Sequence, residues 1–322
     1  MGFKILGTGS YVPERIVTNK EIESRGISNS AWVSENLGIH ERRVAADDQA
    51  TSDLALGASR AALEASGLSA NAVDLLIVGT TTPDRKAPST ACILQDKLGG
   101  RSYPAFDISA ACSSFLYSLA SAAQFIETGF AQRALVVGAD MYSTITDWEH
   151  RDAVFFGDAA GAVVIEAEQG QPPWEFFLGA EGAFWDHFTV PPEGADMSAS
   201  DSAHSRSQFF KLMGPELYED AVRTLPDAAM RVLRKNGLTI EDVDLVVPHQ
   251  ASIRVLEAVA DRTGVPMAKM LTTMGKFGNT AAASQPLTLD LAVRSGKVRR
   301  GMTLLFLTFG AGITYGAALG TY

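Results

Sequence analysis

The chain has 322 residues, 46% hydrophobic and 20% charged, with a formal net charge of −10 and two cysteines. That length suits one large domain or two ordinary ones with a sizeable core. The charge excludes a general nucleic-acid binder, and two cysteines exclude a disulfide framework, so a reducing, cytoplasmic compartment is expected.

The opening MGFKILGTGSYVP has one Lys and no long apolar run, so it does not read as a signal peptide. No stretch approaches the roughly 20 apolar residues of a membrane helix, and no membrane partner is expected. GTGS (7–10) is a lone GxG and reads as a strand-end turn rather than a nucleotide loop. Trp32 alone reads as a half-buried surface aromatic. SDLALGASRAALEA (52–65) has helical periodicity, and SGLSANAVDLLIVGT (66–80) then gives a Gly stop, a short turn and an apolar strand. Cys92, in STACILQDKLGG (89–100), falls on an apolar helical face and reads as an inert core thiol.

SYPAFDIS (102–109) reads as a strand, and SSFLYSLASAAQFIETG (113–129) as a helix ended by Gly129. Cys112 sits between them, at the helix N-terminus, where free amides and the macrodipole favour a thiolate. The plainer reading is a buried inert cysteine. The helix is rich in Ser and Ala, which suits close packing between two halves. GFAQRALVVGAD (129–140) and FGDAAGAVVI (156–165) each read as a turn into a buried strand, and the polar stretch 191–208 as a surface loop.

LPDAAMRVLRK (225–235) is helical in pattern, and NGLTIEDVDLVVPHQ (236–250) repeats residues 66–80 at an offset of 170. GKVRRGMTLLFLTFG (296–310) echoes 129–140 at nearly the same offset. A period this long indicates a duplicated α/β half rather than a solenoid. The halves are expected at 1–170, carrying Cys112, and 171–322. His249 follows the second half's buried strand, and Asn279 lies in the turn of GKFGNTAAASQP (275–286). His40, His150, His187 and His204 lie in polar contexts and read as solvated. Cys112, His249 and Asn279 make a plausible thioester-handling set, and no cluster has metal-ligand spacing.

GTGSYVP, GIHERRVA, SDLALGAS, DISAACSSFLYSL, FGDAAGAVVI, VPHQAS, GNTAAAS and FGAGITYGAAL follow one another along nearly the whole chain. In that order they resemble the ketoacyl-acyl-carrier-protein synthase III family, condensing enzymes of the thiolase superfamily. The resemblance implies a thiolase-like α/β fold, two halves in five αβαβα layers, and a homodimer. It implies that Cys112 takes an acyl group from acyl-CoA. That group would then condense with a malonyl thioester, on acyl carrier protein or CoA, by decarboxylative Claisen chemistry. His249 and Asn279 would hold the enolate. The amide of Cys112 and one from the Gly310–Gly312 turn would hold the oxyanion. Trp32 and Arg151 would clasp the adenine of CoA. Arg254 would contact the carrier protein. CoA thioesters enter as substrates, and no cofactor or metal is implied.

The sequence also departs from the family pattern. Asn36 stands where an Arg is usual, and the stretch after Arg254 is acidic, which weakens attraction to an acidic carrier. Ala87 replaces the Phe that, in short-chain members, closes the partner's acyl pocket, so medium chains are expected. Tyr142, in place of a smaller aliphatic, opposes this. Two alternatives use the same residues or none of them. One is an acyltransferase that passes the Cys112 acyl group to oxygen or nitrogen without decarboxylation. The other is a silent subunit, against which the complete residue set argues. A biosynthetic thiolase would need a second cysteine beyond Cys112, and none is there.

Overall fold

A computed structural model describes residues 2–170, 172–190 and 209–322; the stretch 191–208, read as a surface loop, lies outside them. The first sheet has the order β1 (Gly2–Tyr11), β7 (Ala159–Glu168), β6 (Arg133–Asp140), β4 (Leu75–Gly79), β5 (Ala105–Ile108). The second has the order β11 (Leu245–Pro248), β12 (Thr303–Gly310), β13 (Thr314–Thr321), β8 (Glu175–Ala180). Two short pairs stand apart: β2 (Arg15–Thr18) with β3 (Glu41–Val44), and β9 (Phe188–Thr189) with β10 (Lys211–Leu212). The repeat is visible in the register. Leu75 pairs in parallel with Ala134, and Leu245 with Leu304, both shifted by the same 170 residues. The counterpart of edge strand β5 is reduced to one bridge, Val246 to Met270.

The helices are α1 (Asn19–Ser24), α2 (Ser30–Leu37), α3 (Thr51–Ser66), α4 (Thr90–Leu98), α5 (Ser114–Glu127), α6 (Gly214–Lys235), α7 (Ile253–Thr263), α8 (Met274–Phe277) and α9 (Ser284–Arg294). They sandwich the sheets in five layers. α3 and α4 cover the outer face of the first sheet, α5 and α9 lie between the sheets, and α6 with α7 covers the second. This explains why β4, β6 and β12 are apolar without alternation: both faces are buried.

GTGS is not a turn but lies within the C-terminal half of β1. α3 packs so closely there that a Cβ on Gly7 or Gly9 would collide with the backbone around Ala62. The glycines serve helix–sheet contact, not a phosphate. The second-half helix also starts earlier than its pattern suggests, with Pro226 in its interior. The apolar stripe Ala221, Leu225, Ala228, Val232 runs through the proline. Pro226 cannot donate to Val222 O, and Arg262 of α7 does so instead, at 3.2 Å. Cys92 is exposed on α4 rather than buried in the core; its helical face turns to the edge of β5, where the sheet ends. His187 is not freely solvated either: it is 2.8 Å from the Asp220 carboxylate, which ties the β9 region to α6.

Candidate active site

β5 delivers the chain to a 3-10 turn, Ala111–Ser113, immediately before α5. Ala111 has φ +50°, an unusual conformation for a residue with a side chain. Ser114 supports the turn. Its hydroxyl accepts from the Ala110 amide at 2.8 Å and donates to Ala111 O at 2.6 Å. Thr308 of β12 donates to Cys112 O at 3.3 Å. Cys112 is thus held from both halves and is buried. Burial pushes its thiol well up from the ordinary value, and the nearby Asp140 charge adds to this. The helix-start expectation of a lowered thiol pKa does not hold, because desolvation outweighs the dipole.

His249 follows β11, and its amide donates to Leu307 O at 2.7 Å. Burial alone lowers its pKa to about 3, so the imidazole is neutral. Its Nδ1 lies 2.7 Å from Ser284 Oγ, which leaves Nε2 for a ligand. Asn279 is locked by its own backbone: its amide donates to Phe155 O at 2.9 Å, and its carbonyl accepts from Gly157 at 3.0 Å. Its side-chain Oδ1 accepts from the Ala281 amide at 2.9 Å. The carboxamide orientation follows, with the NH2 left to donate.

Cys112, His249 and Asn279 all line one cavity of about 1170 Å³. Gly310 and Ala311 also line it, whereas Gly312 does not. Of the expected oxyanion turn, Gly310 and Ala311 therefore face the cavity and Gly312 lies back from it. Trp32, half exposed, and Arg151, whose side chain is 83% exposed, stand at the cavity's rim on α2 and on the 3-10 turn Arg151–Val154. Asn36 and Arg254 line it too, beside the carboxylates Glu257 and Asp261.

Tyr142 is fully buried next to Cys112. It stacks on Phe156 at 4.3 Å between centroids, with Phe188 and Phe210 closing the cluster. Its hydroxyl lies 3.1 Å from Thr81 Oγ1. Ala87 lies exposed on the loop between β4 and α4 and does not line its own chain's cavity.

Sequence reading missed Asp140, Ser284 and the ring cluster. Ser284 had a signal, since it repeats Ser114 at the offset of 170. The rings had none, because they come from segments with no common period.

The family model of the 3-oxoacyl-[acyl-carrier-protein (ACP)] synthase III C terminal matches residues 233–322, and that of 3-oxoacyl-[acyl-carrier-protein (ACP)] synthase III matches 106–182. The beta-ketoacyl-[acyl-carrier-protein] synthase III of Alkalilimnicola ehrlichii is 44% identical over 322 residues, with 99% of each chain covered. The crystal structure of 3-oxoacyl-[acyl-carrier-protein] synthase III from Aquifex aeolicus superposes with a TM-score of 0.92 at 37% identity, covering 100% of both chains. The priming beta-ketosynthase from the R1128 polyketide biosynthetic pathway superposes at 0.91 with 32% identity, over 99% of this chain and 96% of that one. The fold is thiolase-like, and the chain belongs to the 3-oxoacyl-[acyl-carrier-protein] synthase III family of condensing acyltransferases.

Proposed function

We propose that the protein primes chain synthesis in two half-reactions at Cys112. The observation that carries this reading is the convergence of Cys112, His249 and Asn279, from separate segments, on one cavity whose rim carries Trp32 and Arg151. Acyl-CoA enters with its adenine between Trp32 and Arg151. The Cys112 sulfur attacks the thioester carbonyl, whose oxygen is held by the amides of Cys112 and the Gly310–Ala311 turn. The C–S bond to CoA breaks, and the thiol proton ends on the departing CoA sulfur.

A malonyl thioester then enters, delivered by an acyl carrier protein that contacts Arg254. Loss of CO2 leaves an enolate, which accepts hydrogen bonds from His249 Nε2 and Asn279 Nδ2. The enolate carbon attacks the acyl carbonyl, the bond to Cys112 breaks, and the released thiolate takes a proton from solvent. Each donor contributes about 3 kcal/mol to stabilising the developing charge. A neutral imidazole serves this better than an imidazolium in so dry a site.

The acyl chain we propose is of medium length, about C6 to C12, because Ala87 removes a ring's volume from the partner's pocket and each methylene buried contributes about 0.8 kcal/mol. The Tyr142 stack is the opposing feature. A homodimer would supply Ala87 across its interface, and the unpaired edge of β5 beside Phe125 and the exposed Phe130 suits such a contact.

Intact-protein mass spectrometry with acyl-CoAs from C2 to C12, followed by radiolabelled malonyl thioester, tests the reading. An adduct on Cys112 and released CO2 support it. An adduct elsewhere, or transfer to oxygen or nitrogen without CO2, overturns it. Far better loading of acetyl-CoA than octanoyl-CoA, unchanged in Ala87→Phe, overturns the chain length alone.

A further inference from the structure

Ser284 is wholly buried at the start of α9, and its hydroxyl has two acceptors within reach. Ala281 O lies at 2.9 Å and His249 Nδ1 at 2.7 Å. A hydroxyl has one proton, so it serves one of them. The choice decides the imidazole. If the proton goes to Ala281 O, Nδ1 must carry its own hydrogen and donate to Ser284, and Nε2 presents a bare lone pair to the cavity. If the proton goes to Nδ1, Nε2 carries the hydrogen.

The second arrangement is open to Ser284, and a His249 that donates to the enolate through Nε2 requires it. Ala281 O already accepts the Ser284 backbone amide, so it keeps a partner when the hydroxyl turns away. His249 Nδ1 is buried, and among the described residues Ser284 Oγ is its only hydrogen-bond partner, so Ser284 is the group placed to set the tautomer. Ser114, at the equivalent place in the first half, gives the contrast. It accepts from the Ala110 amide and must send its proton to Ala111 O. No described amide donates to Ser284 Oγ, so its hydroxyl is free to serve the ring instead.

We infer that Ser284 is a positioning residue that fixes His249 as the Nε2–H tautomer by donating its hydroxyl proton to Nδ1. The inference rests on the reading that His249 donates to the enolate. It also explains why a buried, neutral imidazole can be a reliable donor rather than a mixture of two forms.

The test uses full-length protein with 15N-labelled histidine, as wild type, Ser284→Ala and Ser284→Thr. Nitrogen chemical shifts of His249 report the tautomer, mass spectrometry reports loading, and labelled malonyl thioester reports CO2 release. Wild type is expected to show Nε2–H. Ser284→Ala is expected to show mixed tautomers and CO2 release lowered about tenfold, the effect of one lost hydrogen bond, with loading little changed. Ser284→Thr is expected to restore both readouts. An Nδ1–H ring in the wild type overturns the inference. So does undiminished CO2 release in Ser284→Ala, or a parallel loss of loading and CO2 release that Thr does not rescue. If Ser284→Ala does not fold, the wild-type spectrum decides. A wild type that neither loads nor releases CO2 overturns the condensing reading instead, and its spectrum still reports on Ser284.

Discussion

Ala111, Cys112 and Ser114 of the first half correspond, at the offset of 170, to Ala281, Ala282 and Ser284 of the second. Both turns are 3-10 turns leading into a central helix, α5 or α9. Ala111 and Ala281 are the two described non-glycine residues with positive φ, +50° and +46°. In both, the serine hydroxyl oxygen lies within hydrogen-bond distance of the alanine carbonyl. What differs is the end of the neighbouring strand. β6 ends in Asp140, whose Oδ2 takes the Ala282 amide at 2.9 Å while Thr80, Thr81 and Thr82 surround Oδ1. β12 ends at the same place in Gly310, and a Cβ there would stand only 2.8 Å from the Cys112 amide. In one turn the amide is taken by the protein's own carboxylate; in the other Gly310 brings no carboxylate, which suits the oxyanion role proposed for the Cys112 amide. The proposed assisting groups divide the opposite way: His249 and Asn279 correspond to Gly79 and Ser109. The duplicated scaffold could have held two sites, and the side chains assemble one.

Making the first turn chemically like the second has the largest expected effect. Cys112→Ala is expected to abolish the acyl adduct with the fold unchanged, since Ala already occupies the same backbone at 282. A normal adduct on that variant, seen by intact mass spectrometry, would remove Cys112 from the mechanism.

Gly310→Asp imitates the Asp140 arrangement at the reactive turn. A carboxylate on the Cys112 amide competes with the thioester oxygen, and loading is expected to fall about 100- to 1,000-fold, as for a lost oxyanion donor. Gly310→Asn, which is crowded but uncharged, and a melting curve for each variant separate charge from misfolding. Loading within a few-fold of wild type in a folded Gly310→Asp protein would show that this amide is not the donor.

Next come the assisting groups. His249→Ala and Asn279→Ala are each expected to lower CO2 release about 100-fold and loading much less. Loading lost in both, with decarboxylation kept, would move His249 and Asn279 from the enolate to the first half-reaction. Since burial brings the His249 pKa from 6.5 to about 3, decarboxylation is expected to show no limb near 6.5. The sign for stability follows from proton uptake. Between those two values the unfolded chain binds a proton at this ring that the folded chain refuses, so stability present above pH 6.5 is lost as pH falls toward 3. His249→Gln is expected to flatten that acid slope, measured as unfolding free energy against pH.

Much of this contrast was legible in the sequence because it is carried by order along the chain. The 170-residue repeat gave the paired strands, and the small-residue helices α5 and α9 gave the central layer. Cys112, His249 and Asn279 stand at strand ends or turns, where periodicity breaks and chemistry-bearing residues stand out. Asp140 stood out less, because a carboxylate ending a buried strand also reads as a solvated cap; its six donors come from distant segments. The thiol's raised pKa was equally hidden, since desolvation depends on the packing of both halves around Cys112. Cys92 failed for the converse reason: helical periodicity marks a face but not what covers it, and α4 lies where the sheet ends.

The smallest expected effect is the sharpest test of the two turns. Ala282→Cys, made in the Cys112→Ala background, puts a thiol on the same strained backbone, at the start of a helix of the same kind. If helix position and backbone alone made the nucleophile, the new thiol would load. At this turn, however, the amide that would hold the oxyanion already donates to Asp140, and a carboxylate at that distance disfavours both a thiolate and a tetrahedral anion. Ala282 is also wholly buried and does not line the cavity, unlike Cys112. No adduct is therefore expected, at any acyl length, by intact mass spectrometry. An adduct forming at a rate comparable to wild type would mean that the turn geometry suffices, and that the open amide opposite Gly310 is not what separates the reactive half from the silent one.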